Sequence, residues 1–246
     1  MAEEKKKEKE DFNINPEEMA RAGLQFGHRV SSIHPKMKPY IFGVRNTVHI
    51  IDLEKTAEKL KEALEFIKKQ ISENKTLLFV GTKIQVKDMV KEIANECNLP
   101  HITERWLGGT LTNFRTIKKR IDYFKELEEK KKKGEFDKYT KKERAKIDKE
   151  IQDLDIKFGG IKNLEKLPDI IFVLDMKKDN SAVKEAKKIG VAVIGIADTN
   201  VDPTLVDFAI PANDDAISSV KYILEKVKDV ILESRKTKIT NNQETK

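Results

Sequence analysis

Residues 170–196 read IIFVLDMKKDNSAVKEAKKIGVAVIGI, and this stretch indicates how the chain folds. Two apolar runs, at 170–174 and 191–196, flank a segment whose apolar residues recur at helical spacing. Those helical residues are Ala182, Val183, Ala186 and Ile189. Continuous apolar runs are typical of parallel strands that are buried on both faces of a sheet. The stretch therefore predicts a strand, a helix and a second strand parallel to the first.

The same alternation continues on both sides of this unit. Further apolar runs, which we interpret as strands, lie at 76–80 (TLLFV), 208–210 (FAI) and, less clearly, 48–51 (VHII). Amphipathic helical patterns with steps of three and four residues occupy 57–71, 86–97 and 216–231. Strands that alternate with helices predict an α/β fold, a doubly wound parallel sheet with helices on both faces.

Residues 112–158 interrupt the alternation with two narrow apolar stripes and a charged segment around Gly134. The first stripe consists of Phe114, Ile117, Ile121, Phe124 and Leu127, and the second of Ile147, Ile151, Leu154 and Phe158. Two helices with narrow seams and a central turn predict an inserted antiparallel coiled-coil hairpin. We expect an α/β domain of residues 16–111 and 159–232 around this hairpin. The Lys- and Glu-rich start predicts a disordered charged tail at 1–15, and 233–246 a flexible tail.

The positive charge of the chain is concentrated in the hairpin. Residues 115–149 carry 15 Lys and Arg against 8 Asp and Glu, which gives the same net charge of +7 as all 246 residues together. The remainder is formally neutral, so the basic stripe is local and favours a polyanionic partner. No apolar run approaches the roughly 20 residues that span a bilayer. Without a secretory signal, and with Cys97 as the single cysteine, we expect a cytoplasmic protein without membrane attachment.

Residues 27–45 form a second basic segment that contains no acidic residue. Two prolines and two aromatic residues lie among the cations, and we interpret the segment as an irregular loop. This mixture suits phosphate contacts and stacking on unpaired bases, although a merely exposed loop remains the alternative. The candidate RNA-binding residues here are Arg29, His34, Lys36, Lys38 and Arg45.

Residues 105–114, RWLGGTLTNF, connect the α/β part to the first hairpin helix. The two glycines allow a sharp turn, and Thr110, Thr112 or Asn113 can cap the helix. Trp106, the only tryptophan, either anchors the joint or stacks on a partner. Further candidate RNA-binding residues are Arg105, Arg115, Lys118, Lys119 and Arg120.

Two segments at predicted strand ends raise the question of a ligand. Asp198 and Asp202, with His28, are candidate ligands of a divalent cation, although turn chemistry before a proline also explains these aspartates. The segment 80–83 (VGTK) could hold a phosphate at a helix start, but it lacks both common nucleotide-binding glycine patterns. We therefore predict no catalysis and no cofactor other than a possible cation, and keep a nucleotide-binding α/β enzyme as the alternative.

Several of these segments together resemble the bacterial type of small-subunit ribosomal protein S2. The matching motifs occur in order at 27–29 (GHR), 34–46 (HPKMKPYIFGVRN), 50–56 (IIDLEKT), 79–83 (FVGTK), 105–114 (RWLGGTLTNF), 167–169 (LPD), 198–203 (DTNVDP) and 210–216 (IPANDDA). The resemblance covers roughly residues 16–232, and so many ordered motifs make coincidence improbable.

This resemblance implies a flavodoxin-like three-layer fold with an inserted coiled-coil hairpin. It also implies a non-enzymatic protein that binds small-subunit ribosomal RNA near the junction of head and body. The implied protein neighbours include the large OB-fold protein that recruits mRNA, where one is present. A hairpin that acts mainly as a protein-docking arm is the remaining alternative.

Overall fold

The structure is a computed structural model that describes residues 12–244, with side chains as far as Lys236. Most of the predicted charged tail, residues 1–11, lies outside the described residues. The helices are α1 (Pro16–Ala22), α2 (Leu53–Ser72), α3 (Lys87–Glu96), α4 (Phe114–Lys132), α5 (Lys141–Phe158), α6 (Asn180–Ile189) and α7 (Ile217–Glu244). Within the described range, none of these helices is both long and apolar enough to cross a membrane.

The strands form two sheets. A small antiparallel sheet contains β1 (Phe26–Arg29), β2 (Ile41–Arg45) and β3 (Val48–Ile51), in the order β1-β3-β2. A parallel sheet contains β4 (Leu77–Val80), β5 (His101–Ile102), β6 (Ile170–Val173), β7 (Ala192–Ala197) and β8 (Phe208–Pro211), in the order β5-β4-β6-β7-β8. The predicted α/β class, with its parallel sheet, is confirmed.

Apolar side chains cover both faces of the parallel sheet, which explains why its strands read as continuous apolar runs. Successive residues of a strand point to opposite faces. Leu77 and Phe79 therefore join α2, α3 and α7 in one apolar cluster. Leu78 and Val80 join α6 in a second cluster on the other face.

The second cluster extends beyond the sheet into α4 and α5. Its members there include Ile117, Ile121, Phe124, Leu127, Ile151 and Phe158, all of them buried. The two helices also contact each other through polar groups. The Tyr123 hydroxyl donates to Glu150 at 3.0 Å, and Lys131 forms an ion pair with Asp148 at 2.6 Å. The N-terminal part of α4 and the C-terminal part of α5, which we call the base of the helix pair, are thus continuous with the core of the sheet.

The segment 27–45 is more regular than the irregular loop that we expected. It contains β1, β2 and two 3₁₀ turns, Val30–Ser32 and Pro35–Tyr40. Its strands pair with β3, which lies between them in the sheet. Local sequence could not show this, because half-exposed strands with glycines and cations depend on their partners for stability.

Packed residues extend into both segments that we expected to be tails. Phe12 and Ile14 pack against the first apolar cluster, and Tyr222 on α7 accepts a hydrogen bond from the Asn15 backbone at 3.2 Å. At the other end α7 continues past residue 232 with Ser234 buried. Apolar spacing fades there, but Ser234 donates to the Val230 carbonyl at 2.6 Å.

Candidate functional site

The first turns of α4 carry cations that have no acidic partner. Arg115, Lys119 and Arg120 are exposed, Lys118 is half-buried, and none forms an ion pair with any described residue. Further along the helix, by contrast, Lys130 pairs with Glu126 at 2.6 Å. The first turn contains no acidic residue. Positive charge at a helix N-terminus is unfavourable, so an anionic partner would stabilise this end of α4.

The loop before α4 is packed against the α/β body. Trp106 is buried in the second apolar cluster, whereas its neighbour Arg105 is exposed. Gly109 has a φ of +89°, a conformation that favours glycine. The expected side-chain cap is absent: Asn113 precedes α4 without a capping hydrogen bond. The Thr110 hydroxyl instead donates to the Leu107 carbonyl at 2.6 Å.

One carboxylate on α6, that of Glu185, accepts five hydrogen bonds from this loop. Its Oε1 accepts from the Trp106 indole N–H at 3.1 Å and from the Gly109 N–H at 2.8 Å. Its Oε2 accepts from the Leu111 N–H at 3.0 Å and from the N–H and hydroxyl of Thr112, both at 3.2 Å. Burial alone would raise the pKa of the Glu185 carboxyl, but these donors outweigh it and the pKa is lowered.

Two arginines of the small sheet lie side by side across its central strand. Arg29 on β1 and Arg45 on β2 both lie opposite Val48 of the central strand. Directly opposed residues share a face of the sheet, so the two arginines are roughly 10 Å apart between Cα atoms, two strand spacings. Both are exposed, as is Lys38. The small sheet therefore presents two exposed arginines together on one face.

His34 and Lys36, the other predicted RNA-binding residues of this segment, are engaged within the protein. The His34 Nδ1 accepts a hydrogen bond from the Lys36 backbone N–H at 3.4 Å. The Lys36 Nζ lies 2.7 Å from the Asp202 Oδ2, and this contact lowers the pKa of the Asp202 carboxyl. Lys36 is thus less available for an external anion than Arg29, Lys38 and Arg45 are.

Acidic side chains fill the carboxyl edge of the parallel sheet, where the ammonium group of Lys83 lies among three carboxylates. The Nζ atom is 2.9 Å from Asp175 Oδ2, 2.9 Å from Asp214 Oδ1 and 2.8 Å from Asp215 Oδ1. Asp175 and Asp214 are buried. Burial, together with the charges of Asp175 and Asp198, raises the pKa of Asp214 to about 7.

His28, on β1, lies close to two aspartates of this edge, Asp198 after β7 and Asp215 after β8. Its Nδ1 lies 3.1 Å from Asp198 Oδ2, and its Nε2 lies 3.6 Å from Asp215 Oδ2. The nearby Asp198 carboxylate raises the pKa of His28. The structure thus brings together His28 and Asp198 as predicted, but their third neighbour is Asp215. Asp202 lies against Lys36 instead, because it begins a 3₁₀ turn and faces the 27–45 segment.

The same edge argues against the nucleotide-binding alternative. Lys83, the residue that would contact a phosphate, is already neutralised by carboxylates. Additional negative charge on a ligand would be repelled by Asp175, Asp198 and Asp214. Gly81 has a packing role, since a Cβ there would lie 3.0 Å from Val90 and 3.1 Å from Leu174. The glycine allows the end of β4 to approach α3 and β6 closely.

Our reading of the sequence missed Glu185 and most of the carboxylate edge. Polar residues within a few positions of a buried strand end, the pattern that points to Asp198, also include Asp175 after β6 and Asp214 after β8. The sequence places Lys83 only within an incomplete glycine motif, which does not indicate its carboxylate partners. No sequence signal distinguishes Glu185 from the other acidic residues of the helices.

Carboxylates fill the edge of the sheet around Lys83, and the cations at the start of α4 have no acidic partner among the described residues; both observations favour a binding protein over a nucleotide enzyme. The family model described as "Ribosomal protein S2" matches residues 19–234, and the chain belongs to that family. This is a structural family, and the chain is not an enzyme.

Relatives support the same assignment over nearly the whole chain. "Small ribosomal subunit protein uS2" of Dictyoglomus turgidum is 49% identical over 223 residues, which are 91% of each chain. The protein of the same description from Dictyoglomus thermophilum is also 49% identical over 223 residues, 91% of each chain. That from Coprothermobacter proteolyticus is 46% identical over 222 residues, 90% of this chain and 83% of the relative.

Proposed function

We propose that the chain is a structural constituent of the small ribosomal subunit in the cytoplasm. There it binds ribosomal RNA near the junction of head and body and supports translation. Membership of the S2 family supports the assignment to the small subunit, since the relatives are described as small-subunit proteins. The observation that carries RNA binding is the group of unpaired cations at the base of α4, on a chain whose remaining charge is balanced.

The proposed architecture is a flavodoxin-like fold with an antiparallel coiled-coil hairpin as an insertion. The strand order β5-β4-β6-β7-β8 is that of flavodoxin-like sheets, counted from β4. The contacts of Tyr123 with Glu150 and of Lys131 with Asp148 support α4 and α5 as the two arms.

Affinity for RNA should come mainly from contacts between cations and phosphates. Such contacts position a protein on the backbone without reading its base sequence. The residues proposed to make them are Arg29, Lys38, Arg45, Arg105, Arg115, Lys118, Lys119 and Arg120. His34 and Lys36 would contribute less, because both already have partners within the chain.

Sedimentation of a tagged copy with ribosomal subunits tests the proposal. We expect the protein to migrate with the small subunit at low salt and to dissociate progressively as the salt concentration rises. Persistent failure to migrate with small subunits at low salt would contradict the proposal.

Charge reversal at the base of α4 distinguishes RNA binding from protein docking. In the triple variant Lys118→Glu, Lys119→Glu and Arg120→Glu, we expect subunit association to weaken and its salt dependence to become shallower. The logarithmic slope should fall by roughly one for each phosphate that the variant no longer neutralises. Reversal of the three exposed lysines Lys138, Lys141 and Lys142, at the start of α5 and just before it, is the control with the same change of charge. If the base variant associates normally, with an unchanged salt slope, docking through the apolar seam is favoured instead.

An exposed apolar area on the small sheet suits the proposed protein neighbour. Phe42 is 81% exposed, and Phe26 and Val44 are also exposed large apolar side chains. Together with Ile50 they line a cavity of about 340 Å³. Exposed apolar clusters commonly mark protein contacts, and we assign this one to the large OB-fold mRNA-recruiting protein.

Replacement of Phe42 by serine should weaken binding of that neighbour without displacing the chain from the subunit. The reason is that Phe42 contributes exposed apolar area to the cluster but little to the core. Co-purification of the two proteins on washed subunits measures the effect, with Tyr139→Ser, another exposed aromatic residue, as the control. Equal recovery of the neighbour from both variants would refute this assignment.

We also propose a divalent cation at the cluster of His28, Asp198 and Asp215. Their ligand atoms lie within 4.8 Å of one another. The Asp198 Oδ2 is buried and accepts no hydrogen bond of good geometry, although His28 is nearby. An acceptor in this state fits a cation.

Calorimetry with Mg²⁺ or Mn²⁺ on chelator-treated protein tests the cation site. We expect binding to be lost in His28→Ala and kept in Asp202→Asn, because Asp202 lies against Lys36 rather than in the cluster. Absence of binding by the unaltered protein, or equal binding by His28→Ala, would argue against the site.

A further inference from the structure

The carboxylate of Glu185 has a fixed place on the α/β body. Its helix, α6, is held by Ala182, Val183 and Ala186, which are buried in the second apolar cluster against the sheet. The carboxylate therefore occupies a defined position relative to β6 and β7. A group that hydrogen-bonds to it is positioned relative to the body in the same way.

The groups that bind this carboxylate belong to the loop that leads into α4. Glu185 accepts hydrogen bonds from the backbone N–H groups of Gly109, Leu111 and Thr112. It also accepts one from the Trp106 indole N–H. Hydrogen bonds to an ionised acceptor are about twice as strong as neutral ones. Helix α4 begins at Phe114, two residues beyond Thr112. Little freedom remains between the last bonded residue and the start of the helix.

We infer that Glu185 is a positioning residue for RNA binding, acting through the loop to fix where α4 presents its unpaired cations. The inference rests on the proposed RNA-binding function. Arg115, Lys118, Lys119 and Arg120 lie within the first two turns of α4, so their places follow from the loop that precedes them. Cations that already hold a fixed arrangement lose less conformational freedom when they bind several phosphates together, so their affinity is higher.

Glu185→Gln tests the inference with a nearly isosteric change. The amide retains one acceptor oxygen, but its nitrogen cannot accept a hydrogen bond, so the donors on one side of the group, either Trp106 and Gly109 or Leu111 and Thr112, lose their acceptor. Glu92→Gln, an exposed carboxylate on α3, is the matched control for loss of one negative charge. Circular dichroism and thermal unfolding establish that both variants are folded.

We expect Glu185→Gln to bind small subunits stripped of this protein about tenfold more weakly, as loss of a charge-assisted hydrogen bond would imply. Glu92→Gln should bind as the unaltered protein does. Amide hydrogen exchange should accelerate at Gly109, Leu111 and Thr112, and the fluorescence of Trp106 should change. Equal binding by Glu185→Gln and the unaltered protein would overturn the inference.

A double-mutant cycle with Arg115→Ala separates positioning from a general loss of stability. If Glu185 acts by placing the cations of α4, the loss caused by Arg115→Ala should be smaller when Glu185 is already glutamine. Losses that simply multiply would overturn the inference. Failure of the unaltered protein to bind stripped subunits would refute the proposed function itself. Amide exchange in Glu185→Gln would still report whether the carboxylate holds the loop.

Discussion

Replacement of Lys83 by methionine should destabilise the protein by about 3–5 kcal/mol, the usual cost of removing one partner from a buried ion pair. The Lys83 side chain is 15% exposed, and its ammonium group contacts three carboxylates. Methionine fills a similar volume but leaves Asp175 and Asp214 buried without a counterion. Chemical denaturation measures the loss as a lower free energy of unfolding.

The size of this effect follows from the burial of the carboxylates rather than from the number of ion pairs. Asp175 and Asp214 have side chains that are 7% and 3% exposed, whereas Asp215 is largely in solvent. Exposed ion pairs contribute only about 0–1 kcal/mol. Asp215 should therefore account for little of the loss, and a second substitution that removes a buried charge, Asp214→Asn, should restore part of it.

Lys87→Met is the matched control for this prediction. Lys87 begins α3 four residues after Lys83 and pairs with Glu104, which is 44% exposed, at 2.9 Å. We expect it to cost no more than about 1 kcal/mol. The measurements should be made with a chelator present, so that a bound cation does not replace the ammonium group. Equal effects at Lys83 and Lys87 would show that the cluster does not depend on its lysine.

The parts of the fold that could be predicted from the sequence are those whose stability is local or whose burial is complete. The strands β4, β6, β7 and β8 were identified from their apolar runs, because a parallel strand is buried on both faces. In contrast, β5 has only two residues, His101 and Ile102, and pairs with β4 alone. A strand of that length has no periodicity to detect.

The candidate site shows the same division between local and long-range information. His28 and Asp198 were identified as neighbours, but Asp202 was chosen where the structure places Asp215. Both aspartates follow strands of the parallel sheet, and sequence spacing does not show which of them faces His28. Glu185 is harder still, since its donors lie more than 70 residues earlier in the chain. Such contacts are determined only by the packing of α6.

The second apolar cluster couples the stability of α4 and α5 to that of the α/β body. Phe124 of α4 is fully buried in it, together with strand residues such as Val80 and Val173. The Lys162 ammonium group, beyond α5, lies 5.0 Å from the Phe124 ring centroid. Because this cluster contains residues of α4, α5 and the sheet, the two helices contact the body beyond their connecting loops. Their base should therefore unfold together with the sheet.

Phe124→Ala should accordingly destabilise the whole protein by about 3–5 kcal/mol, the range found for removal of a buried phenylalanine side chain. The cost combines the reduced apolar burial with the cavity left between α4 and its surroundings. Denaturation followed by far-UV circular dichroism and by Trp106 fluorescence should give one coincident transition, since Trp106 belongs to the same cluster. Phe124→Leu should be milder, because less volume is removed.

Ile156→Ala provides the control on the same pair of helices. Ile156 lies on α5 but is 58% exposed, so its truncation should change the free energy of unfolding by no more than about 0.5 kcal/mol. If Phe124→Ala instead melts α4 and α5 in a separate early transition, with the sheet unaffected, the helices are an independent arm. The position of the basic residues would then depend on the loop and Glu185 alone, without support from the shared core.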